Sequence, residues 1–159
     1  INTDGVQCDL WLSGFADVEN VSSISRQQLQ KWGELPGIHW LGASDSMEKI
    51  YRAVDCVVLP SYREGMPRSL LEAGALGLPV IATNVPGCRN IVEDGLNGLL
   101  CEARNSASLQ RAMQKMLLMT PTERLNMGQN GRTLVSRKYG EHLVVDATMR
   151  AVESAVNGI

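Results

Sequence analysis

The sequence predicts an α/β protein in which a parallel β-sheet is flanked by helices on both faces. Three observations support this prediction. Short apolar runs, typical of strands buried on both faces of a parallel sheet, occur at residues 56–59 and 80–82. Segments with apolar residues at helical spacing separate the predicted strands. After residue 101 the strand pattern stops, and only helical segments follow.

The first part of the chain predicts a strand, a helix and a second strand. Residues 6–12 alternate partly between apolar and polar side chains, which favours a strand. Ser22 or Ser23 is predicted to cap a helix that runs to about residue 32. A short apolar run at residues 38–41 predicts the next strand. The predicted inner face of the helix carries three apolar residues: Ile24, Leu29 and Trp32.

The middle of the chain repeats the alternation. Asp45 is predicted to cap a helix because Glu48 follows three residues later, close to a capping-box pattern. This helix is expected to continue to about residue 54 and to be followed by the strand at 56–59. A helix over residues 67–76 comes next, and its first residue is a proline, which is favourable in a first helical turn.

The last part of the chain is predicted to end the sheet and then to become helical. A loop at residues 84–87 follows the strand at 80–82, and a short helix or turn ends at about residue 93. Residues 98–101 are predicted to be the last strand. Three helices close the chain, and their predicted starts are Asn105 or Ser106, the Thr-Pro-Thr-Glu sequence at 120–123, and Glu141.

Length and composition exclude several classes of protein. The chain has 159 residues, which predicts a single domain over residues 1–159. A net charge of −2 gives no electrostatic reason to expect a nucleic-acid partner. No apolar run reaches the ~18 residues that a membrane span needs. The four cysteines predict reduced thiols in a reducing cytosol, and the two histidines lack metal-ligand spacing.

The candidate site is the turn between the strand at 56–59 and the helix at 67–76. In open α/β sheets, ligands bind beyond the carboxyl ends of the strands. The first helical turn has backbone N–H groups without partners, and these groups attract phosphate. Glu72, one turn further along, suits the diol of a ribose. Glu64, before the helix, suits hydroxyls at the other end of a phosphate-linked sugar.

The two carboxylates have two other possible interpretations. A glycosidase pair needs carboxyl groups about 5–9.5 Å apart. Eight helical residues span ~12 Å, so Glu64 and Glu72 suit separate contacts along one elongated ligand better. The second interpretation is purely structural: Arg68 and Glu72 form a surface ion pair, and Glu64 is a solvated turn residue. The residues alone leave this alternative open.

A resemblance adds to these observations. The sequence LPSYREGMPRSLLEAGALGLPVIATNVPGC, at residues 59–88, resembles the glutamate-x7-glutamate signature of the retaining, GT-B-fold glycosyltransferases of family 4. Glu64 and Glu72 stand at the two glutamates. The similarity extends to the Trp-Leu-Gly sequence at 40–42 and to EDGLNGLL at 93–100. The resemblance implies a Rossmann-like, donor-binding C-terminal lobe.

The resemblance also implies roles for individual residues. Glu64 would be the catalytic residue that holds donor-sugar hydroxyls near the reacting carbon. Backbone amides in the first turn of the helix would bind the diphosphate, whereas Glu72 would bind the ribose. The donor would be a UDP- or GDP-linked sugar, and no metal is expected. The implied donor-binding residues are Gly42, Ala43, Gly65, Met66, Arg68, Ser69 and Glu72.

The family pattern sets further expectations. An acceptor-binding lobe, and a first strand with an Arg and then a Lys, would precede Ile1, so these 159 residues alone are expected not to transfer sugar. Asn90 stands where the family often has a glutamate. The full-length enzyme would act on a saccharide or lipid-linked acceptor, in surface polysaccharide or glycolipid synthesis, in the cytoplasm or at the cytoplasmic membrane face. The alternatives are a nucleotide-sugar epimerase of similar fold and a non-catalytic nucleotide-sugar-binding domain.

Overall fold

The computed structural model describes residues 2–3, 6–16 and 23–140 of the chain. These residues form two compact units, Ile1–Ile50 and Tyr51–Ile159. The helix that the sequence predicts from Glu141 lies outside the described residues. Within the described part of the chain, no helix is both long enough and apolar enough to cross a membrane.

The first unit contains two small sheets and a crossover helix. Strands β1 and β2 pair antiparallel, whereas β3 and β4 pair in parallel and are connected through α1. Side chains alternate between half-buried and exposed along β3 and β4. The elements are β1 (Asn2–Thr3), β2 (Val6–Gln7), β3 (Leu10–Ser13), α1 (Arg26–Gly33) and β4 (Ile38–Gly42).

Two predictions for the first unit are wrong in detail. The single strand predicted at 6–12 is two strands, because Val6–Gln7 pairs with β1 and Leu10–Ser13 pairs with β4. Helix α1 starts after Ser25, whose hydroxyl accepts a hydrogen bond from the Gln28 N–H at 3.2 Å. Ile24 therefore precedes the helix and is 43% exposed, although Leu29 is buried as predicted.

Helix α2 (Met47–Tyr51) is shorter than predicted. Its start lies two residues beyond the predicted cap, Asp45. Before the helix, the Ser44 hydroxyl accepts a hydrogen bond from the Ser46 N–H at 3.1 Å. The helix ends at Tyr51 rather than at residue 54. A helix of five residues is not stable by itself, because short helices are stabilised by tertiary packing rather than by helix propensity.

The second unit is built on a three-stranded parallel sheet in the order β5-β6-β7. Leu59 pairs with Ala82, and Thr83 pairs with Cys101, so the carboxyl ends of the strands lie at one edge. Helices α3 to α6 accompany these strands. The elements are β5 (Val57–Leu59), α3 (Arg68–Ala75), β6 (Val80–Thr83), α4 (Pro86–Arg89), β7 (Gly98–Cys101), α5 (Ser106–Leu118) and α6 (Pro121–Tyr139).

The central strand β6 is buried on both faces, as its continuous apolar pattern predicts. Val80 and Ala82 belong to one core cluster, which contains Leu70 of α3. Ile81 belongs to the other cluster, together with Met116 of α5. The structure therefore confirms a Rossmann-like α/β layer arrangement, in which helices cover both sides of a parallel sheet.

The starts of α5 and α6 follow the predicted capping residues, whereas α3 begins one residue later than predicted, because Pro67 is its N-cap residue and Arg68 its first helical residue. The Asn105 side chain accepts a hydrogen bond from the Ser108 N–H at 2.9 Å at the start of α5. Thr120 and Glu123 form the complete capping box of α6, and their hydrogen bonds lower the pKa of Glu123. The loop predicted at 84–87 is wrong because α4 already begins at Pro86, where proline is favourable in the first turn.

None of the four cysteines forms a disulfide. Cys88 and Cys101 are buried in the two core clusters, and Cys8 and Cys56 are half-buried. Burial raises the pKa of the Cys56 thiol to about 12. This thiol is therefore protonated at neutral pH and acts as an apolar side chain.

Candidate functional site

The turn after β5 is fastened to the end of the neighbouring strand. Thr83, the last residue of β6, is buried, and its hydroxyl donates a hydrogen bond to the Ser61 carbonyl. Leu59, the last residue of β5, is paired with Ala82 of β6, so this hydrogen bond fixes the residues that directly follow β5. The turn that carries Glu64 therefore starts from a fixed point at the carboxyl edge of the sheet.

The same turn is held from a second side by α4. A Cβ atom on Gly87 would lie 2.3 Å from the Glu64 carbonyl oxygen and 2.5 Å from the Gly65 carbonyl oxygen. Real Cβ atoms do not approach oxygen this closely, so only glycine allows this contact between backbones. Helix α4 thereby supports the peptide that carries the predicted catalytic glutamate.

Glu64 is half-buried, and its charge acts on the Cys88 thiol. Burial raises the pKa of Cys88, and the negative charge of Glu64 raises it further. The thiol is therefore a neutral neighbour of the carboxylate. Gly65 and Met66 follow on the exposed side of the turn, where the Met66 side chain is 62% exposed.

Helix α3 begins without a side-chain cap. Its N-cap residue is Pro67, which offers no side-chain acceptor to the first turn. The Leu70 N–H donates to the Pro67 carbonyl at 3.1 Å, whereas helical geometry gives the Arg68 and Ser69 N–H groups no partner within the helix. Two donors at the positive end of the helix dipole thus remain available for an anion.

The Glu72 carboxylate lies one turn along α3 and contacts two side chains. The Tyr51 hydroxyl donates a hydrogen bond to Glu72 Oε2 at 3.2 Å. The Arg68 guanidinium lies 3.7 Å from Glu72 Oε1, so the predicted i,i+4 ion pair is present. The Arg68 side chain is 88% exposed, and such pairs contribute at most a few tenths of a kcal/mol. The Glu72 side chain is itself 43% exposed, so a ligand can reach the carboxylate and compete with this weak ion pair.

Gly42 and Ala43 belong to the first unit. Gly42 ends β4 with a φ of 72°, and its carbonyl accepts a hydrogen bond from the Gly14 N–H at 2.9 Å. This left-handed conformation favours glycine because it has no Cβ. The role of Gly42 and Ala43 in a base pocket stays a prediction.

Several residues of this site were not identified from the sequence. The contacts of Tyr51 with Glu72, of Thr83 with Ser61 and of Gly87 with the Glu64 carbonyl all join residues more than 20 positions apart. Only Gly87 gave a local signal, as the glycine of a Pro-Gly pair.

Two surface depressions lie outside the predicted site. One, of about 480 Å³, is lined by α5 and α6 residues that include Arg111 and Lys115. The other, of about 520 Å³, is lined by Arg132, Thr133, Ser136 and Arg137 of α6. Neither includes a residue of the β5–α3 turn. The candidate site is thus defined by its donors and carboxylates rather than by either depression.

The Rossmann-like fold is shared with glycosyltransferases, and comparison with known families gives the class of protein. The family model described as glycosyl transferases group 1 matches residues 16–134. The chain therefore belongs to the glycosyl transferases group 1 family, and its resemblance to GT-B glycosyltransferases is confirmed. The narrower assignment to family 4 stays a prediction.

Curated relatives carry glycosyltransferase names. An N,N'-diacetylbacillosaminyl-diphospho-undecaprenol alpha-1,3-N-acetylgalactosaminyltransferase of Campylobacter jejuni is 27% identical over 122 residues, which is 77% of this chain and 32% of that protein. The capsular polysaccharide biosynthesis glycosyltransferase CapM of Staphylococcus aureus is 27% identical over 91% of this chain and 37% of its own length. The chain thus spans about a third of these relatives.

Solved structures share the fold. The sucrose-phosphate synthase of Thermosynechococcus elongatus superposes with a TM-score of 0.81 at 25% identity, over 95% of this chain and 39% of that chain. HepE of Anabaena, solved in complex with UDP-glucose, superposes with a TM-score of 0.78 at 22% identity, over 94% of this chain and 43% of that chain. These superpositions support the Rossmann-like fold.

Proposed function

We propose that this chain binds a nucleotide-diphosphate sugar as the donor-binding part of a retaining glycosyltransferase. One observation carries the proposal. A single segment, from the end of β5 to the middle of α3, presents Glu64, two helix-start amides and Glu72 in that order. A sugar, a diphosphate and a ribose follow one another in the same order along a nucleotide sugar. HepE, a protein of the same fold, has been solved with UDP-glucose, which supports this class of donor.

The diphosphate is the part of the donor at which negative charge develops when the glycosidic bond breaks. Preorganised donors aimed at that charge are commonly the largest single contribution to catalysis. In this proposal the Arg68 and Ser69 amides supply them, assisted by the positive end of the α3 dipole and the exposed Arg68 guanidinium. No metal takes part in the proposed contacts.

The two carboxylates have separate tasks at the two ends of the donor. Glu64 is supported by α4 and faces the sugar end, where it accepts hydrogen bonds from sugar hydroxyls near the reacting carbon. Glu72 is held by Tyr51 and faces the ribose. We assign the full-length enzyme to transfer with retention onto a saccharide or lipid-linked acceptor, in surface polysaccharide or glycolipid synthesis. The polysaccharide and undecaprenol names of relatives support this assignment.

Nucleotide-sugar titration tests the proposal directly. Replacing Glu72 by alanine is expected to weaken UDP-sugar or GDP-sugar binding at least about tenfold, because a carboxylate that accepts two hydrogen bonds is lost. Isothermal titration of this chain with both donor classes measures the effect. Glu102→Ala is the matched control. It removes an exposed carboxylate from the loop between β7 and α5, and the variant should bind the donor as wild type does. Equal donor affinity of Glu72→Ala and wild type would contradict the proposal.

A further inference from the structure

Tyr51 is a buried residue whose only polar side-chain atom, the hydroxyl oxygen, lies at the candidate site. It ends α2, is 4% exposed and belongs to the same compact unit as Glu72. Its hydroxyl donates to Glu72 Oε2 at 3.2 Å, across 21 positions of sequence. The hydrocarbon ring is thus inside the protein, while the hydroxyl reaches the edge of a half-buried carboxylate.

The two partners of Glu72 differ in how firmly they can hold it. Arg68 is a long, 88% exposed side chain on the same helix, and its guanidinium is 3.7 Å from Oε1. An exposed pair of this kind is screened by water and salt and orients its partner weakly. Tyr51 is fixed by its surroundings and has few rotatable bonds. The tyrosine is therefore the partner that can set the orientation of the carboxylate.

The tyrosine hydroxyl also stays a donor at every working pH. Burial raises the pKa of Tyr51 to about 12, and the adjacent Glu72 charge contributes to the rise. A neutral phenol has one O–H, and here that O–H is directed at a carboxylate oxygen. One lone pair of Oε2 is thereby occupied, and the others remain available to a second donor.

We propose that Tyr51 is a positioning residue that orients the Glu72 carboxylate toward a vicinal ribose diol, so that the site selects ribonucleotides over 2'-deoxyribonucleotides. This inference rests on the proposed function, in which Glu72 binds the ribose. A diol requires both carboxylate oxygens in a defined plane, because two hydroxyls donate side by side. If the carboxylate rotates freely about its terminal bond, the second hydroxyl contributes less binding free energy. The ratio of the affinities for the ribonucleotide and the 2'-deoxyribonucleotide then falls.

The test compares the affinities of UDP and 2'-deoxy-UDP for this chain by isothermal titration. Tyr51→Phe keeps the packed ring and removes the hydroxyl. It is expected to reduce the preference for UDP about fivefold while the affinity for 2'-deoxy-UDP stays within about twofold. In a Glu72→Gln background, the same substitution should change the preference no further, because the two residues act as one unit.

The matched control is Tyr139→Phe, which removes another tyrosine hydroxyl bonded in the same unit, at 2.7 Å to the Asn90 carbonyl. It should leave the preference unchanged. If Tyr51→Phe weakens both nucleotides equally, or weakens neither, Tyr51 has no positioning role. If Glu72→Gln keeps the preference for UDP, or wild type binds none of UDP, 2'-deoxy-UDP and GDP, the proposed function itself is contradicted, and the inference with it.

Discussion

Replacing Gly128 of α6 by alanine is expected to cost about 3 kcal/mol or more of folding free energy. An alanine Cβ at this position would lie 1.8 Å from the Gly77 carbonyl oxygen and 2.6 Å from its carbonyl carbon. Both obstructing atoms belong to the backbone, so no side-chain rotation relieves the overlap. Helix α6 must instead separate from the loop that follows α3. Urea unfolding followed by circular dichroism measures the loss.

Gly131, three residues along the same helix, is the matched control. Its nearest neighbours would be 3.7 Å from a Cβ, which is ordinary van der Waals contact. Because alanine is the better helix former, Gly131→Ala should stabilise the protein by about 0.5–1 kcal/mol. The two glycines are therefore expected to respond with opposite signs. A Gly128→Ala variant as stable as wild type would contradict this account of how α3 and α6 pack.

Replacing Gly87 by alanine is expected to abolish measurable nucleotide-sugar binding by this chain. The added Cβ would lie within 2.5 Å of two carbonyl oxygens, those of Glu64 and Gly65. The turn must move away from α4, and a displacement of 1 Å near the reacting groups costs on the order of 100-fold in rate for a full-length enzyme. Donor titration measures the first effect, and donor turnover in the full-length protein measures the second.

Pro86→Ala controls for a general disturbance of α4. It changes the exposed neighbour of Gly87 without adding an atom, and it should retain donor binding within a fewfold of wild type. Circular dichroism of Gly87→Ala should show native helix content, because the site is local. Unchanged donor affinity in a folded Gly87→Ala variant would show that the position of the Glu64 turn does not matter for binding.

Local patterns in the sequence predicted the elements that hold the site. The continuous apolar run at residues 80–82 predicted a strand buried on both faces, and β6 is one. The Thr120 capping box and the Asn105 cap predicted the starts of α6 and α5 correctly. Each of these signals lies within three or four neighbouring residues, because caps and strand burial depend on local backbone geometry.

Contacts between residues that are distant in the sequence could not be predicted from such local patterns. Tyr51 falls within the helix that the sequence predicts after Asp45, and it is buried. Its hydroxyl bond to Glu72 depends on where Tyr51 lies relative to α3, which no periodicity encodes. The approach of Gly87 to the Glu64 turn depends equally on the packing of α4. The sequence therefore indicated candidate residues for the site, whereas the structure shows which residues contact them.

The most direct test is an amide chemical-shift map of this chain during titration with UDP. The account predicts that the largest shifts occur at the Arg68 and Ser69 amides, where the helix start faces the diphosphate, with further shifts around Glu72. Shifts confined to the depression lined by Arg111 and Lys115, with the start of α3 unaffected, would contradict it.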